Sequence, residues 1–309
     1  MPSLHTTRVV GLGEALFDLL PSGDALGGAP LNVAFHAHQL LAPAGGGGVV
    51  LSRVGEDPLG DRLRRELRER GLDDHTLQRD PHRPTGAVRV TLDGAGQPSY
   101  EIQRDAAWDY IACGAQELAL AGSCRAVAFG SLAMRSPVSR ASILRFLDHA
   151  PQALRMFDVN LRQDFFDADT LLQGARRATV MKLNSAELAV VGPLLGEAPA
   201  TDAIEGCQRL RRRFDLLAVA LTRGERGTSL ITAERVIQGR GDRTWPAQDG
   251  ADAVGAGDAC SAGLMVGLMR GWTDRAVELA DAMGGYVASR RGATPTLPAE
   301  LVARAHLAG

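Results

Sequence analysis

The stretch Asp252-Ala253-Val254-Gly255-Ala256-Gly257-Asp258 leads directly into Ala259-Cys260-Ser261-Ala262-Gly263-Leu264-Met265-Val266-Gly267-Leu268-Met269, an apolar run of helical character. Small residues where a loop becomes a helix, with a carboxylate in the first turn, are the parts from which a chain builds an anion hole beside a base. The first N–H groups of a helix lack intrahelical partners, point outward and carry the positive end of the dipole. Glycines let an anion approach that backbone because no Cβ intervenes. The plainer alternative is that Asp258 only favours the helix dipole as a capping residue.

Outward from this turn, short apolar runs alternate with longer amphipathic ones. Strands are expected at Arg8–Leu12, Val49–Val54, Ala126–Phe129, Arg155–Asp158, Thr179–Lys182 and Leu216–Leu221. Helices are expected at Pro30–Leu41, Gly60–Arg70, Ser136–His149, Ala203–Phe214, Gly257–Met269 and Thr273–Arg290. The alternation predicts an α/β fold, a mainly parallel sheet with helices on both faces. Two regions break the rhythm: residues 15–28, which alternate and end in glycines, and Gly86–Ile102, which reads as two strands around Asp93-Gly94-Ala95-Gly96. Both read as strands inserted into the α/β frame, forming a small sheet over the site. Gly45–Gly48 has no helical pattern after it and reads as a surface loop. With no internal repeat and no long linker, residues 1–309 are expected to form a single domain.

Composition narrows the function classes. Across 309 residues, 45% are hydrophobic, 23% are charged and the net charge is −2, which leaves no polybasic surface for nucleic acid or membrane. Arg62, Arg64, Arg65, Arg68 and Arg70 are interleaved with Glu66 and Glu69, as on a solvated helix face. Cys113, Cys124, Cys207 and Cys260 lack metal-ligand spacing, and scattered thiols suit a reducing compartment. Met1–Arg8 carries no signal-peptide pattern, so the expected location is the cytoplasm.

Several further segments carry chemistry. Gly11-Leu12-Gly13 lacks the third glycine of a dinucleotide fingerprint, since position 16 is Leu16. Asp18 is a carboxylate inside an apolar run, costly unless solvated or paired with polar ligand groups. Gly27-Gly28-Ala29-Pro30-Leu31-Asn32 places a glycine pair, a helix-starting Pro and an amide in sequence, and Asn32 suits a polyol hydroxyl. Asp158-Val159-Asn160-Leu161-Arg162 and Lys182-Leu183-Asn184-Ser185-Ala186-Glu187 end two expected strands, where open parallel sheets bind ligands. Asn184 and Glu187 have the spacing of a capping box and equally of oxygen groups that order water around Mg²⁺. Thr222-Arg223-Gly224-Glu225-Arg226-Gly227 suits a tight turn near a nucleotide or a plain hairpin.

Together these pieces resemble the ribokinase-like PfkB family of carbohydrate kinases over nearly the whole chain. The resemblance rests on Gly27-Gly28-Ala29-Pro30-Leu31-Asn32-Val33-Ala34, Asn184-x-x-Glu187, Thr222-Arg223-Gly224 and Gly255-Ala256-Gly257-Asp258, in the family's order. Gly13-Glu14-Ala15-Leu16-Phe17-Asp18, Phe157-Asp158-Val159-Asn160-Leu161-Arg162 and Gly292-Ala293-Thr294-Pro295-Thr296-Leu297-Pro298 are most similar to the fructokinase branch. The resemblance implies a three-layer α/β/α fold with a small β lid contributed by residues 15–28 and 86–104. It implies an ATP-dependent kinase acting on a small-molecule sugar, with fructose favoured and 2-keto-3-deoxygluconate as the alternative; a non-catalytic sugar-binding regulator is the third reading. The implied base is Asp258, with the N–H groups of Gly255, Ala256 and Gly257 holding the transferred phosphoryl group. Asp18, Gly27, Gly28 and Asn32 are implied on the sugar side, with Arg104 and Arg162 near substrate or phosphate. Asn184, Glu187, Thr222 and Gly224 are implied on the nucleotide side, Glu187 acting on Mg²⁺ through water; Gly227 is placed with them, and Lys182 beside Arg162 is a candidate to neutralise the phosphates. Asp252 is the candidate for a monovalent cation, K⁺, although Ala253 stands where the family usually has Thr. The expected assembly is a homodimer through the lid strands.

Overall fold

A computed structural model describes residues 7–306, apart from 21–22, 93–97, 199, 201 and 243. Thirteen strands are described. They are β1 (Arg8–Leu12), β2 (Leu16–Leu19), β3 (Ala25–Gly27), β4 (Gly47–Gly55), β5 (Leu77–Asp80), β6 (Gly86–Leu92) and β7 (Pro98–Ile102), followed by β8 (Ala126–Gly130), β9 (Leu154–Asp158), β10 (Val180–Asn184), β11 (Ala218–Thr222), β12 (Thr228–Ile231) and β13 (Val236–Gln238). Nine of them form one sheet in the order β13-β12-β11-β10-β9-β8-β1-β4-β5. Pairing is parallel from β11 to β5, and the β11–β12 and β12–β13 pairings are antiparallel, so that β12 alone runs against the other strands of this sheet.

The strand sequences alternate between two apolar faces, as a sheet covered on both sides requires. Val10, Leu12, Val127 and Phe129 point into a core with the helices Ala115–Ser123, Pro137–Asp148, Ala168–Arg177, Ser185–Leu194 and Ala203–Arg213. Val9, Ala126 and Ala128 point the other way, into a core with Ala29–Leu41, Ala256–Met269, Asp274–Ala288 and Ala299–Arg304. The result is the expected three-layer α/β/α arrangement. A third cluster holds the helix Pro58–Glu69, through Leu63 and Leu67, against Leu31, Phe35 and Val54.

The inserted strands make a second sheet, β3-β2-β6-β7, in which β2 and β6 are parallel. The turn expected at 93–96 lies outside the described residues. Among the described residues no helix is long and apolar enough to cross a membrane.

Some expectations need correction. Gly47 and Gly48 open β4 and are not a surface loop, because the helix Ala29–Leu41 crosses there so closely that a Cβ on Gly48 would stand 1.8 Å from the Ala34 carbonyl oxygen. Thr222–Gly227, for which a hairpin is one of the two readings, is the turn joining β11 to β12, which leaves its place beside a nucleotide open to either reading. Strands β5, β12 and β13 are three or four residues each, too short to show a period, and the helix Ser185–Leu194 is disguised by Gly192 and Pro193.

Candidate active site

The parallel strands deliver their carboxyl ends to one edge of the sheet, and the candidate residues gather there. Gly255 opens the helix Ala256–Met269 in the left-handed region at φ 76, and a Cβ added to it would fall 2.5 Å from the Ala293 carbonyl oxygen. Only glycine satisfies both constraints. The first turn beyond it is accessible: Gly257 is exposed and Asp258 half-buried, whereas Ala259–Gly267 is core. No side chain caps this helix, and its first N–H, that of Ala256, donates back to the Ala253 carbonyl at 3.2 Å.

Asp258 accepts a hydrogen bond from Asn32 Nδ2 at 2.8 Å, joining the helices Ala256–Met269 and Ala29–Leu41. Burial, then the charge of Asp158, push the Asp258 carboxyl up to about 6, against the opposing pull of Asn32, Lys182 and Arg162. A carboxylate so poised is ionised at neutral pH yet basic enough to take a proton.

Beneath it lies a buried ion pair, Lys182 Nζ to Asp158 Oδ2 at 2.7 Å, and Ser261 Oγ donates to the same carboxylate oxygen at 2.8 Å. Burial alone would lower the Lys182 pKa, but the Asp158 charge and hydrogen bond hold it above the usual lysine range. Lys182 Nζ also approaches the Gly255–Gly257 turn, 3.5 Å from where a Cβ on Gly257 would stand. Lys182 is therefore already matched to Asp158 through one of its three donors.

Asp18 in β2 lies across Gly27, whose added Cβ would fall 2.7 Å from Asp18 Oδ2. Burial raises the Asp18 pKa and the Arg162 charge opposes the rise. Arg162 is the common cation of the site, acting on Glu14, Asp18 and Asp258. Gly28 is the N-cap of the helix bearing Asn32, at φ 110. The sequence reading assigned no role to Glu14. It is buried, its Oε2 has no partner, and burial pushes its carboxyl up to about 7.

Asn184 and Glu187 do form a capping box, Asn184 N to Glu187 Oε2 at 2.8 Å and Glu187 N to Asn184 Oδ1 at 2.9 Å. Glu187 Oε1 also accepts from Leu161 N at 3.0 Å, tying the loop after β9 to the helix after β10. Thr222 Oγ1 faces the Leu183 carbonyl at 3.5 Å and Gly224 is exposed. Gly227 is buried, with an added Cβ only 2.3 Å from Gly241 N, so its glycine is demanded by packing within the protein. Asp252 accepts from Val254 N at 3.0 Å and from Gly292 N at 3.2 Å.

Arg104 stands apart from these groups. Its side chain is 72% exposed, 3.6 Å from Asp164, and its guanidinium lies 4.6 Å from the Phe165 ring centroid. It borders a cavity of about 360 Å³ shared with Arg135 and Arg140, and none of the Asp258 cluster lines that cavity. At Asp258, by contrast, a carboxylate of raised pKa, a helix start without a side-chain cap and a common cation converge.

A family model described as "pfkB family carbohydrate kinase" matches residues 24–300. The chain belongs to the pfkB family of carbohydrate kinases. Among its relatives, the fructokinase of Klebsiella pneumoniae is 28% identical over 308 residues, covering 93% of this chain and 95% of that one. Among solved structures, fructokinase from Vibrio cholerae O395 in its fructose, ADP and calcium ion bound form has a TM-score of 0.78 at 26% identity, covering 96% of this chain and 98% of its own. An uncharacterized sugar kinase from Pyrococcus horikoshii in complex with ATP has a TM-score of 0.75 at 26% identity, with 93% of each chain covered. The pfkB chain described here is thus a ribokinase-like sugar kinase.

Proposed function

We propose that this kinase transfers the γ-phosphoryl group of ATP to a hydroxyl of fructose. The observation that carries the reading is the Asn32–Asp258 hydrogen bond, which sets a sugar-side amide against the base under an open helix N-terminus. Asp258 takes the proton of the attacking hydroxyl, and the N–H groups of Gly255, Ala256 and Gly257 meet the charge that develops on the phosphoryl group. Asp18, Gly27, Gly28 and Asn32 hold the remaining hydroxyls. Arg162 neutralises phosphate charge, and Lys182 sets the potential through its pair with Asp158. Asn184, Glu187, Thr222 and Gly224 bound the nucleotide. Phosphoryl transfer asks a protein mainly for positioning and charge stabilisation, and these residues supply both.

Among the described residues no group of three acidic, His or Cys side chains could hold a metal. That suits Mg²⁺ carried by the nucleotide phosphates and water, with Glu187 acting at one remove, since both its oxygens already accept backbone N–H groups. Mg²⁺ would neutralise phosphate charge there. K⁺ beside Asp252 and a homodimer through the open edges β3 and β7 of the small sheet complete the proposal.

One observation favours a second acceptor. The loosely paired Arg104, with Arg162 as the other candidate, offers a cation to the carboxylate of an acidic sugar such as 2-keto-3-deoxygluconate. ADP release over a panel of ketoses, aldoses, nucleosides and ketodeoxy acids, with and without Mg²⁺ and K⁺, separates the two, and light scattering reads the assembly. Fructose should give the highest kcat/KM, and Asp18→Ala should raise KM for sugar far more than for ATP. Preference for the ketodeoxy acid would transfer the assignment to the second reading, and no sugar-dependent ADP release would refute both.

A further inference from the structure

The helix Ala29–Leu41 presents Asn32, His36 and Gln39 on one face, four and three residues apart. Asn32 meets the base Asp258. His36 is fully buried, and its Nε2–H donates to the Ala293 carbonyl at 2.9 Å. Burial lowers its pKa to about 4, so the ring is neutral and the carbonyl acceptor places its proton on Nε2. Gln39 Nε2 donates to the Pro295 carbonyl at 3.2 Å, and its Oε1 accepts from Leu297 N at 2.8 Å.

Ala293 is also the residue against which the anion-hole turn is seated: a Cβ on Gly255 would lie 2.5 Å from its oxygen and 2.6 Å from its Cα. On the other side of the turn, Gly292 N donates to Asp252 Oδ2, whose Oδ1 accepts from Val254 N. Arg70 holds Thr294 Oγ1 at 2.7 Å and Tyr286 OH holds the Thr296 carbonyl at 2.7 Å. Residues 292–297 thus form a strap, tied at every position, between the sugar-side helix and the Gly255 turn.

We propose that His36 is a positioning residue of this kinase: by holding Ala293 it fixes the Gly255 turn, and with Gln39 it fastens the anion hole to the helix whose Asn32 meets the base. The inference rests on reading Gly255–Gly257 as that hole. Packing alone does not account for a histidine here. His36 Nδ1 is buried without a partner, a cost that leucine or phenylalanine would avoid. The return is geometric, because donors aimed at a transferring phosphoryl group tolerate little displacement.

The test uses the full chain with three substitutions. His36→Phe keeps a ring and removes the donor, His36→Gln restores a donor at similar reach, and Gln39→Ala cuts the strap from the half-exposed side of the helix. On folded His36→Phe, amide exchange should quicken in residues 252–257 and 291–297. Its kcat should fall roughly 10- to 100-fold while sugar affinity by calorimetry stays within about twofold. His36→Gln should recover most of both, and Gln39→Ala should show the same signs at smaller size and decides the matter should His36→Phe not fold. Unchanged exchange in the strap, kcat within about twofold of the parent, or no rescue by His36→Gln would each overturn the proposal. A parent that phosphorylates no sugar would instead defeat the functional reading, and the exchange measurements would still decide whether His36 holds the turn.

Discussion

Asp258 is one carboxylate among many, and its environment suits it to the proposed role of base. Burial and Asp158 raise it, while Asn32, Lys182 and Arg162 keep it ionisable near neutrality. With the carboxyl at about 6, kcat/KM should climb as pH rises from 5 to 7 and level off above. Asp158→Asn removes the charge that raises Asp258, so the midpoint of that climb should move to lower pH. Asp258→Asn should leave the fold and nucleotide binding in place and cut kcat by about 10²–10⁴-fold. Steady-state kinetics from pH 5 to 9 check all three expectations, and a flat profile with undiminished kcat in Asp258→Asn would remove Asp258 from the reaction. At this scale the sequence was informative where residues are contiguous. Asp252–Asp258 could be read as a unit, whereas the meeting of Asp158 with Ser261 spans 103 positions and has no local signature. The signal for Asp158 was only its place at a strand end, and Glu14 offered none beyond a charge beside an apolar run.

At the scale of elements, two helix starts do the work, in opposite ways. The helix Ser185–Leu194 is closed by its own capping box, and Glu187 further binds Leu161 N. Spacing could not separate cap from nucleotide role, because the cap uses the same atoms. Glu187→Gln would turn an NH₂ toward one of two backbone N–H groups. It should therefore lower stability by about 1–3 kcal/mol and raise KM for MgATP as the loop after β9 loosens. A fall in Tm with KM and the Mg²⁺ optimum untouched would reduce Glu187 to a cap. The helix Ala256–Met269 is left open, and its two glycines have different tasks. Gly255 is held by φ and by Ala293, so any side chain there damages the turn. Gly257 has room, its added Cβ meeting only Lys182 Nζ at 3.5 Å. Gly257→Val should therefore fold and bind sugar, yet lose at least the roughly 2.7–4 kcal/mol of transition-state stabilisation typical of one oxyanion donor. Calorimetry beside kcat checks this, and turnover near the parent rate would place the phosphate elsewhere.

Over the whole molecule, the alternation of short apolar strands with amphipathic helices was enough to foresee a sheet covered on both faces. The antiparallel extension β12–β13 and the strand β5 went unseen because so few residues carry no period. The site's charges also act on the stability of the entire fold. Glu14, raised from 4.5 to about 7, and Asp258, raised from 3.8 to about 6, bind protons more tightly folded than unfolded. Their contribution is fully present below the unfolded pKa values and is lost as pH rises through the folded ones. His36 acts in the opposite sense: lowered to about 4, it costs stability as pH falls below the ordinary histidine value of 6.5. Glu14→Gln isolates one part of this balance, since glutamine mimics the protonated acid without ever ionising. Below pH 4.5 the variant and parent should melt together, because Glu14 is protonated in both states. Between pH 4.5 and 7 the variant should become progressively the more stable, by on the order of 1–3 kcal/mol at the plateau above pH 7. Melting curves of both proteins from pH 4 to 9 measure the difference directly. A constant offset across that range would mean that Glu14 finds a compensating partner on ionising, and that the carboxylate beside the base is charged in the working enzyme.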